Sequence, residues 1–518
     1  AYERALGWVL KHQPLTLLVT LLTMAATVFL YAKVPKGFFP QQDTGRLNGS
    51  IQADQDTSFQ AMQKKLAAFI KIVMEDPAVE SATGFLGGSS SSGRMFVALK
   101  PPGERDATAD QVIARLRGKI THVPGAALYL QPVQDVRVGG RMGGAQYQYT
   151  LQADDAKELF SWAPRILRAF RQVKELADVN SDQQDKGLQA SLAIDRATAS
   201  RLGITPQTID ATLYDSFGQR PVSTMYTSLN QYHVVLEVDP QFWQNPSGLR
   251  YVYVKTSDGK LVPLSAFTRY ETSTAPLTVN HSGQFPSVTI SFNLPPGVAL
   301  GEAVDAMQAA ETEMRLPATI RGSFSGTAQA FQESLAGEPI LIAAALLTVY
   351  IVLGVLYESL IHPVTILSTL PSAGVGALLA LLLTGYDLSV MALIGIILLI
   401  GIVKKNAILM IDFAIEAERK EGLGPEEAIF KACLLRFRPI TMTTMAALLG
   451  GLPLALGGGT GSELRRPLGI AIVGGLVFSQ MLTLFTTPVV YLYLDRFRLR
   501  WGRARRRRTE TVPAPGGA

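Results

Sequence analysis

Three polar side chains, Lys404, Lys405 and Asn406, interrupt the apolar stretch 390–413. An ionisable side chain at membrane depth costs about 2.5–3.5 kcal/mol on insertion scales, so it normally faces a partner or a water-filled path. No residue three or four positions from Lys405 is acidic, and Asp412, on the same helical face, is ~10.5 Å away along the axis. Lys404 is the better candidate for snorkelling to the interface. For Lys405 we expect carboxylates from a missing segment or another subunit, with snorkelling as the alternative.

Hydroxyl groups and arginines follow in the next apolar segment. Thr441, Thr443 and Thr444 come directly after Arg436 and Arg438. A threonine in a membrane helix most often bonds its own i−4 carbonyl, but beside a buried lysine and asparagine a hydroxyl can instead relay protons. The two arginines most simply mark the cytoplasmic end of the helix.

Signals of enzyme chemistry are missing from the sequence. It contains no Gly-x-x-x-x-Gly-Lys-Ser/Thr phosphate loop, and its five histidines show no zinc-ligand spacing. The single Cys433 excludes a disulfide framework. The run Gly87-Gly-Ser-Ser-Ser-Ser-Gly93 lacks the strand–turn–helix context of a hydrolase elbow. We therefore expect no enzymatic activity, no bound metal and no cofactor.

The composition lies between that of a soluble protein and that of a bundle of membrane helices. The chain has 518 residues, 47% hydrophobic and 17% charged, whereas a soluble domain carries about a quarter charged residues. A bilayer-spanning helix takes about 20 apolar residues. Six stretches meet this criterion, one before and five after a polar region at residues 33–332: 15–31, 340–356, 364–383, 390–413, 440–456 and 468–491.

The distribution of basic residues predicts the orientation in the membrane. The net charge is +6, but eight arginines lie between Arg496 and Arg508, so the basic balance does not indicate nucleic-acid binding. Together with the basic loop 416–438, this tail marks the cytoplasmic side. Six spans then place both ends inside and the polar region outside, although Arg465 and Arg466 depart from the rule. Because residue 1 is alanine, we expect the chain to be a piece of something longer.

The polar region contains a repeated pattern of strands and helices. Alternation and helical periodicity predict the order β-α-β-β-α-β, the split βαβ unit, over residues 47–132. A second copy begins with a strand at 146–152 and a helix at 156–173, followed by strands near Val179 and at 190–194. Its remaining helix and strand lie at 300–314 and 319–325, after an insertion at about 196–275 and a strand at 287–292. A generic α+β region is the alternative.

Three motifs resemble those of a known family: Gly-Ile-Val-Lys-Lys-Asn-Ala-Ile-Leu at 401–409, Leu-Arg-Phe-Arg-Pro-Ile-Thr-Met-Thr-Thr at 435–444 and, after the first span, Pro-Lys-Gly-Phe-Phe-Pro-Gln-Gln-Asp at 35–43. In these motifs the chain resembles the resistance–nodulation–division (RND) multidrug efflux transporters, and the resemblance covers essentially the whole chain. Four further segments are most similar to the heteromeric Mdt B/C branch, which uses two paralogous inner-membrane subunits, and favour the B-type. They lie at 218–220, 228–235, 289–293 and 463–469.

The resemblance implies an α-helical transmembrane protein with a large α+β periplasmic region. That region would contain two ferredoxin-like (split βαβ) porter subdomains and an inserted docking domain. The expected domains are a first transmembrane helix (1–32), a porter subdomain (33–140), a split second porter subdomain (141–195 and 276–334), the docking domain (196–275), a five-helix transmembrane bundle (335–494) and a basic cytoplasmic tail (495–518).

A complete member of this family has two such repeats, so the resemblance implies that this chain is the carboxyl-terminal half. The missing amino-terminal half would supply paired aspartates for Lys405. Asn406 would support that pair, Thr443 would join the proton relay, and Arg436 would lie on the cytoplasmic proton path. Protonation of the aspartates would weaken the pairing, let the helices shift and drive proton antiport.

The resemblance also places a substrate site in the first porter subdomain. Phe85 and Phe96 match aromatic pocket positions, and Gly84 and Gly87 belong to a glycine-rich switch loop at 84–93. Glu80 and Gly87 stand where relatives carry aromatic residues. The alternative for Phe96 is a strand residue that faces the core.

The implied partners follow from the same family. They are a homotrimer or a heterotrimer with a paralogue in the bacterial inner membrane, a periplasmic adaptor protein, an outer-membrane channel and small amphiphilic substrates. One alternative is an RND-related accessory protein for protein export or lipid sensing. Another is the metal-cation branch, whose methionine or carboxylate ligands the sequence does not show.

Overall fold

The computed structural model describes residues 2–510 except 88–90, 137 and 140–143, and side chains as far as Phe497. The described chain divides into two compact units. The larger contains the membrane helices and both split βαβ units. The smaller consists of Asp54–Ser58 and Gln183–Val279.

The chain begins with two helices, α1 (Tyr2–Lys11) and α2 (Gln13–Lys33). Helix α1 is amphipathic and buries Leu6 and Leu10. Pro14, in the first turn of α2, fits there because the first helical amide has no carbonyl partner. The long, apolar α2 is the first membrane-spanning helix.

The first split unit is a four-stranded antiparallel sheet in the order β2-β3-β1-β4. Its strands alternate buried and exposed side chains, and the buried set packs against both helices around Phe69, Met95 and Leu116. The opposite face of the hairpin β2–β3 stays open. Its elements are β1 (Arg46–Ala53), α3 (Phe59–Met74), β2 (Val79–Leu86), β3 (Ser92–Leu99), α4 (Ala109–Ile120) and β4 (Ala126–Pro132).

The second split unit starts with β5 (Tyr147–Ala153), α5 (Ala156–Phe170) and β6 (Ala177–Ser181), after which the chain enters the smaller unit. There the pairs β7–β12, β8–β9 and β10–β11 form three short ladders, and a small core contains Ile209, Val254 and Phe267. Its elements are β7 (Gly187–Ile194), α6 (Arg196–Arg201), α7 (Pro206–Phe217), β8 (Arg220–Tyr226), β9 (Gln231–Leu236), α8 (Pro240–Trp243), β10 (Tyr253–Lys255), β11 (Leu261–Pro263) and β12 (Thr268–Ala275).

The chain then returns through β13 (His281–Ser282), β14 (Phe285–Asn293), α9 (Leu300–Met314) and β15 (Ile320–Ser325). Strand β14 pairs with β6, β13 and β5, and β5 pairs with β15. The order β6-β14-β5-β15 repeats that of the first sheet. The prediction that 190–194 is a strand of this unit is wrong: those residues belong to β7, which pairs with β12 in the smaller unit, and β14 takes the third position.

The remaining membrane helices are α10 (Thr327–Tyr357), α11 (His362–Leu367), α12 (Leu370–Thr384), α13 (Val390–Glu421), α14 (Pro425–Leu456) and α15 (Ser462–Glu510). With α11 and α12 forming one span, the described chain has six candidate spans, which confirms the six predicted apolar stretches. Helix α15 packs closely on its neighbours, since a Cβ on Gly474 would lie 2.3 Å from Ala380 Cβ. Most of the predicted basic tail (495–518) lies outside the described side chains.

Asp43, the last residue of the Pro-Lys-Gly-Phe-Phe-Pro-Gln-Gln-Asp motif, anchors the start of the first split unit. Its Oδ1 accepts hydrogen bonds from Arg105 at 2.6 Å and from the Gly45 amide at 3.1 Å, and its Oδ2 accepts one from the Ala109 amide at 2.8 Å. Burial alone would raise the pKa of Asp43, but these hydrogen bonds and the Arg105 charge lower it. The motif is therefore structural at this position.

We expect Asp43→Ala to destabilise the folded chain by about 3 kcal/mol, because it leaves the Arg105 guanidinium buried without a carboxylate. The lowered pKa means that the wild-type advantage is full above about pH 4 and is lost as pH falls through the folded pKa. Denaturant unfolding at pH 7 and at pH 3 measures both effects. The exposed Asp56→Ala is the matched control, and equal losses in the two variants would contradict the anchoring role.

Candidate functional site

Helix α13 presents the two lysines to different surroundings. It starts at Ser389, whose hydroxyl accepts a hydrogen bond from the Ala392 amide, and no proline interrupts it. Successive residues turn by about 100° around a helix axis. Lys405 is consequently exposed, on the same open face as Asp412, whereas Lys404 is buried.

The structure corrects the expectation that Lys404 snorkels to the interface. Its side chain is 5% exposed, and its Nζ is covered without a hydrogen-bond partner in the described part of the chain. The helix turn between positions 404 and 405 directs Lys404 toward neighbouring protein rather than outward. The two adjacent lysines are therefore not equivalent.

Asn406 and Thr444 form the hydrogen-bonded contact between α13 and α14. Asn406 is 4% exposed and Thr444 is 3% exposed, and Asn406 Nδ2 donates to Thr444 Oγ1 at 3.0 Å. Thr443, which the resemblance selected, is exposed, and its hydroxyl donates to the Ile440 carbonyl at 3.1 Å. The sequence names Thr441, Thr443 and Thr444 together as hydroxyl groups near Asn406, and only helix packing decides that Thr444 is the one that faces it.

Arg436 lies nearer than Thr444 to the amino-terminal end of α14 in the same helix pair. Its guanidinium carbon is 3.4 Å from the centroid of the Phe413 ring, a cation–π contact between α14 and α13. Its Nε is buried without a hydrogen-bond partner among the described residues. Asn406 and Arg436 thus each contact the facing helix at a different level of the interface.

The predicted substrate residues separate onto two faces of the first sheet. Phe85 and Phe96 are 57% and 45% exposed and form an edge-to-face pair with ring centroids 5.9 Å apart. The alternative that Phe96 faces the core is therefore wrong. Gly84 lies on the helix-facing side, where a Cβ would come within 2.5 Å of the Leu66 side chain. Gly87 is exposed at the end of β2, and part of the predicted switch loop, 88–90, lies outside the described residues.

A cavity of about 280 Å³ lies where both split units meet the loop that precedes α13. Asp110, Tyr147 and Asp387 line it. Burial, and secondarily the charge of Glu302, raises the pKa of Asp387 to about 6. In the described part of the chain, no cluster of three or more His, Cys, Asp or Glu side chains could hold a metal ion.

Comparison with protein families assigns this architecture. Residues 1–495 match the model described as the AcrB/AcrD/AcrF family. The chain belongs to this family. The match covers the first span, both split units and the membrane bundle, and it confirms the resemblance to RND multidrug efflux transporters. The protein is accordingly a multi-pass inner-membrane protein.

Curated relatives in this family refine the assignment. The chain is 60% identical over 503 residues to "Multidrug resistance protein MdtC" of Klebsiella pneumoniae subsp. pneumoniae and 58% identical to the protein of the same name from Escherichia coli. Both relatives carry the C-type name, so they do not support the preference for the B-type. Each alignment covers 97% of this chain and 49% of the relative, so the chain spans about half the length of the curated relatives it matches.

Solved structures of a heavy metal efflux pump share the fold. Two crystal forms superpose with TM-scores of 0.86 and 0.84 at 24% identity. They cover 96% and 95% of this chain, and 52% and 50% of the other. At this identity the likeness establishes the arrangement of helices and sheets.

We expect Asp387→Asn to stabilise the chain by about 1–2 kcal/mol at pH 7.5 and to have almost no effect at pH 4. The folded pKa lies above the ordinary value, so the wild type is most stable below the unfolded pKa and loses stability as pH rises through about 6. Denaturant unfolding in detergent at the two pH values measures the difference. The exposed Asp135→Asn serves as control; a gain that does not change with pH would argue against this ionisation.

Proposed function

We propose that this chain is the carboxyl-terminal half of a proton-driven RND permease that exports amphiphilic drugs and detergent-like compounds from the periplasm and inner membrane. The observation that carries the proposal is the position of Lys405. It lies within a membrane-spanning helix, on an exposed face, and takes part in no ion pair in the described part of the chain. A face of this kind is suited to a second helix bundle that carries carboxylates.

Electrostatics explains why such a pair would respond to protons. An ammonium in a hydrocarbon environment is costly unless a carboxylate lies close to it, and the attraction between the two grows as the local dielectric falls. Protonation of the carboxylate removes the attraction and leaves Lys405 to find other partners. Each protonation would therefore change the position of lowest free energy of α13, the helix that carries Lys405.

The neighbouring residues support this exchange in distinct ways. Asn406, held by Thr444, fixes the rotation of α13 and so keeps Lys405 on the open face. Thr443 shares the exposed side of α14 and can reach a carboxylate of the missing half. Arg436 lies nearer the cytoplasmic end, beside Phe413, where it can assist proton release.

Proton antiport is also the energy source that suits this chain. The sequence contains no phosphate-binding loop for ATP. A proton that crosses a potential of 100 mV provides about 2.3 kcal/mol. Both ends of the chain would lie in the cytoplasm, as the basic segments predict.

Substrate recognition is best placed at the exposed pair Phe85 and Phe96. Two aromatic rings in edge-to-face contact offer an apolar surface to an amphiphile. Arg94, which is exposed on β3 directly opposite Phe85, offers a positive charge beside them. Gly84 packs on α3 and can act only indirectly. Gly87 leaves the end of β2 open beside these rings.

The remaining assignments concern assembly. We propose that the inserted unit is the docking domain that faces an outer-membrane channel, and that the complete permease is a trimer bound to a periplasmic adaptor protein. The similarity to C-type subunits favours a heterotrimer with a paralogue. The paired aspartates would come from the amino-terminal half.

In the complete transporter, Lys405→Ala should abolish proton-driven export while membrane level and assembly stay unchanged, because the relay loses its cation. Export of a fluorescent amphiphile from proteoliposomes under an imposed pH gradient measures the effect. Lys420→Ala, an exposed lysine on the same helix that pairs with Glu416, is the matched control. Undiminished export by the Lys405 variant would refute the relay.

Replacement of both Phe85 and Phe96 by alanine should weaken binding of an aromatic amphiphile about thirtyfold, since each ring contributes roughly 1 kcal/mol of apolar contact. The maximal export rate should change less than twofold. Fluorescence polarisation and concentration-dependent export measure the two quantities. Phe285→Ala, which removes an exposed ring from β14, should change neither, and equal effects of the two sets of variants would exclude this surface.

A further inference from the structure

Two short extended segments form a parallel ladder where α2 ends and α13 begins. One, Pro35–Phe38, follows α2, and the other, Leu388–Val390, leads into α13. The Leu388 amide donates to the Pro35 carbonyl at 2.8 Å, the Gly37 amide to the Leu388 carbonyl at 3.3 Å, and the Val390 amide to the Phe38 carbonyl at 3.0 Å. We call these two segments the junction ladder.

The ladder is bonded to the second split unit as well. The Gly301 amide, in the first turn of α9, donates to the Lys36 carbonyl at 2.9 Å. A single extended segment thus accepts hydrogen bonds from the segment that begins α13 and from the helix that covers the second sheet. Backbone hydrogen bonds therefore connect the helix of Lys405 continuously to the second split unit.

Side chains attach the two ends of this segment to different cores. Val34, directly before the segment, is 2% exposed and packs with Leu388 and Ala392 among the membrane helices. Phe38 is 8% exposed and belongs to the core of the second split unit, with its ring edge-on to Phe331 at 6.4 Å. Closely packed cores transmit displacement instead of absorbing it.

The fit between the two segments of the ladder leaves no space for a larger residue. A Cβ on Gly37 would lie 2.8 Å from Asp387 Oδ2 and 3.0 Å from Asp387 Cβ. A Cβ on Gly301 would lie 3.0 Å from the Lys36 carbonyl oxygen. The absence of a side chain at Gly37 lets the two segments approach closely enough for the three hydrogen bonds.

We propose that the junction ladder is the coupling element that carries displacement of α13 to α9 and the second split unit. The inference rests on the proposed proton relay, which supplies the displacement. Shifts of packed helices in such transitions are about 1–2 Å, and a shift of that size would break hydrogen bonds of 2.8–3.3 Å unless the bonded segments moved together. The ladder therefore moves with α13, and Gly37 and Gly301 are positioning residues for transport.

The first experiment separates coupling from binding in the complete transporter, reconstituted in proteoliposomes with a pH-sensitive dye inside. Wild type should show a proton flux that a fluorescent amphiphile accelerates. Gly37→Ala should reduce this acceleration at least tenfold while the dissociation constant of the amphiphile stays within twofold. Gly118→Ala, where a Cβ meets nothing within 4 Å, should behave as wild type. An undiminished acceleration in Gly37→Ala would overturn the proposal.

A second variant tests whether the cause is the steric conflict at the ladder. Asp387→Gly removes the atoms that a Cβ at position 37 would meet. The double variant Gly37→Ala with Asp387→Gly should therefore show at least half of the amphiphile-induced acceleration of proton flux that Asp387→Gly shows alone. A double variant as defective as Gly37→Ala would mean that the ladder fit is not what transport requires.

A reversible cross-link gives an independent answer if Gly37→Ala does not fold. Lys36→Cys with Leu388→Cys, in a Cys433→Ala background, places two thiols at paired positions of the ladder. Because the ladder moves as one body, oxidation should leave export within twofold of the reduced sample. Export that is lost on oxidation and restored by reduction would show that the ladder opens in each cycle, which contradicts the proposal.

Lys405→Ala separates a failure of the proton relay from a failure of the junction ladder in the same assay. Loss of all proton-driven export in that variant, together with normal coupling in Gly37→Ala, would reject the ladder and keep the relay. Normal export in Lys405→Ala would reject the relay itself.

Discussion

The positive charge of Lys405 at membrane depth is the constraint on which the rest of this structure depends. Hydrocarbon cannot solvate an ammonium group, so the helix that carries it must be held at one depth and one rotation. Helix α13 is held by the Asn406–Thr444 hydrogen bond and by close approach to α15, where a Cβ on Gly395 would lie 3.0 Å from the Leu468 carbonyl. These contacts leave one face of the helix open, and Lys405 stands on that face.

The two split units follow a different physical rule. Each split unit covers one face of its sheet with two helices, and the hairpin β2–β3 leaves its other face accessible. On that face Phe85 and Phe96 remain exposed, because the alternation of a strand directs their neighbours Gly84 and Met95 toward the helices. The aromatic pair is thus a direct result of the pattern that builds the core.

Much of this architecture can be predicted from the sequence, and the failures have identifiable causes. The six spans depend on length and apolarity alone, and the first split unit is continuous in the chain. The second unit is interrupted, so β14 could not be distinguished from the strand at 190–194 until the pairing was known. Likewise, Lys404 and Thr444 differ from Lys405 and Thr443 by a single position. Only the packing of α13 on its neighbours decides which of the two is buried.

The chain leaves the second sheet after β6 and returns to it in β13 and β14. The smaller unit is inserted between β6 and β14, the position occupied in the first sheet by the turn between β2 and β3. Asp182 and Asn280, at the two ends of the excursion, are joined by a side-chain hydrogen bond of 2.9 Å, and Asp182 also accepts from the Thr289 amide at 2.7 Å. The chain therefore leaves the second sheet and re-enters it at neighbouring positions. The smaller unit could therefore be replaced by protein engineering. A short turn between Asp182 and Asn280 would leave the strand order of the second sheet unchanged, and another domain could be inserted at the same two residues.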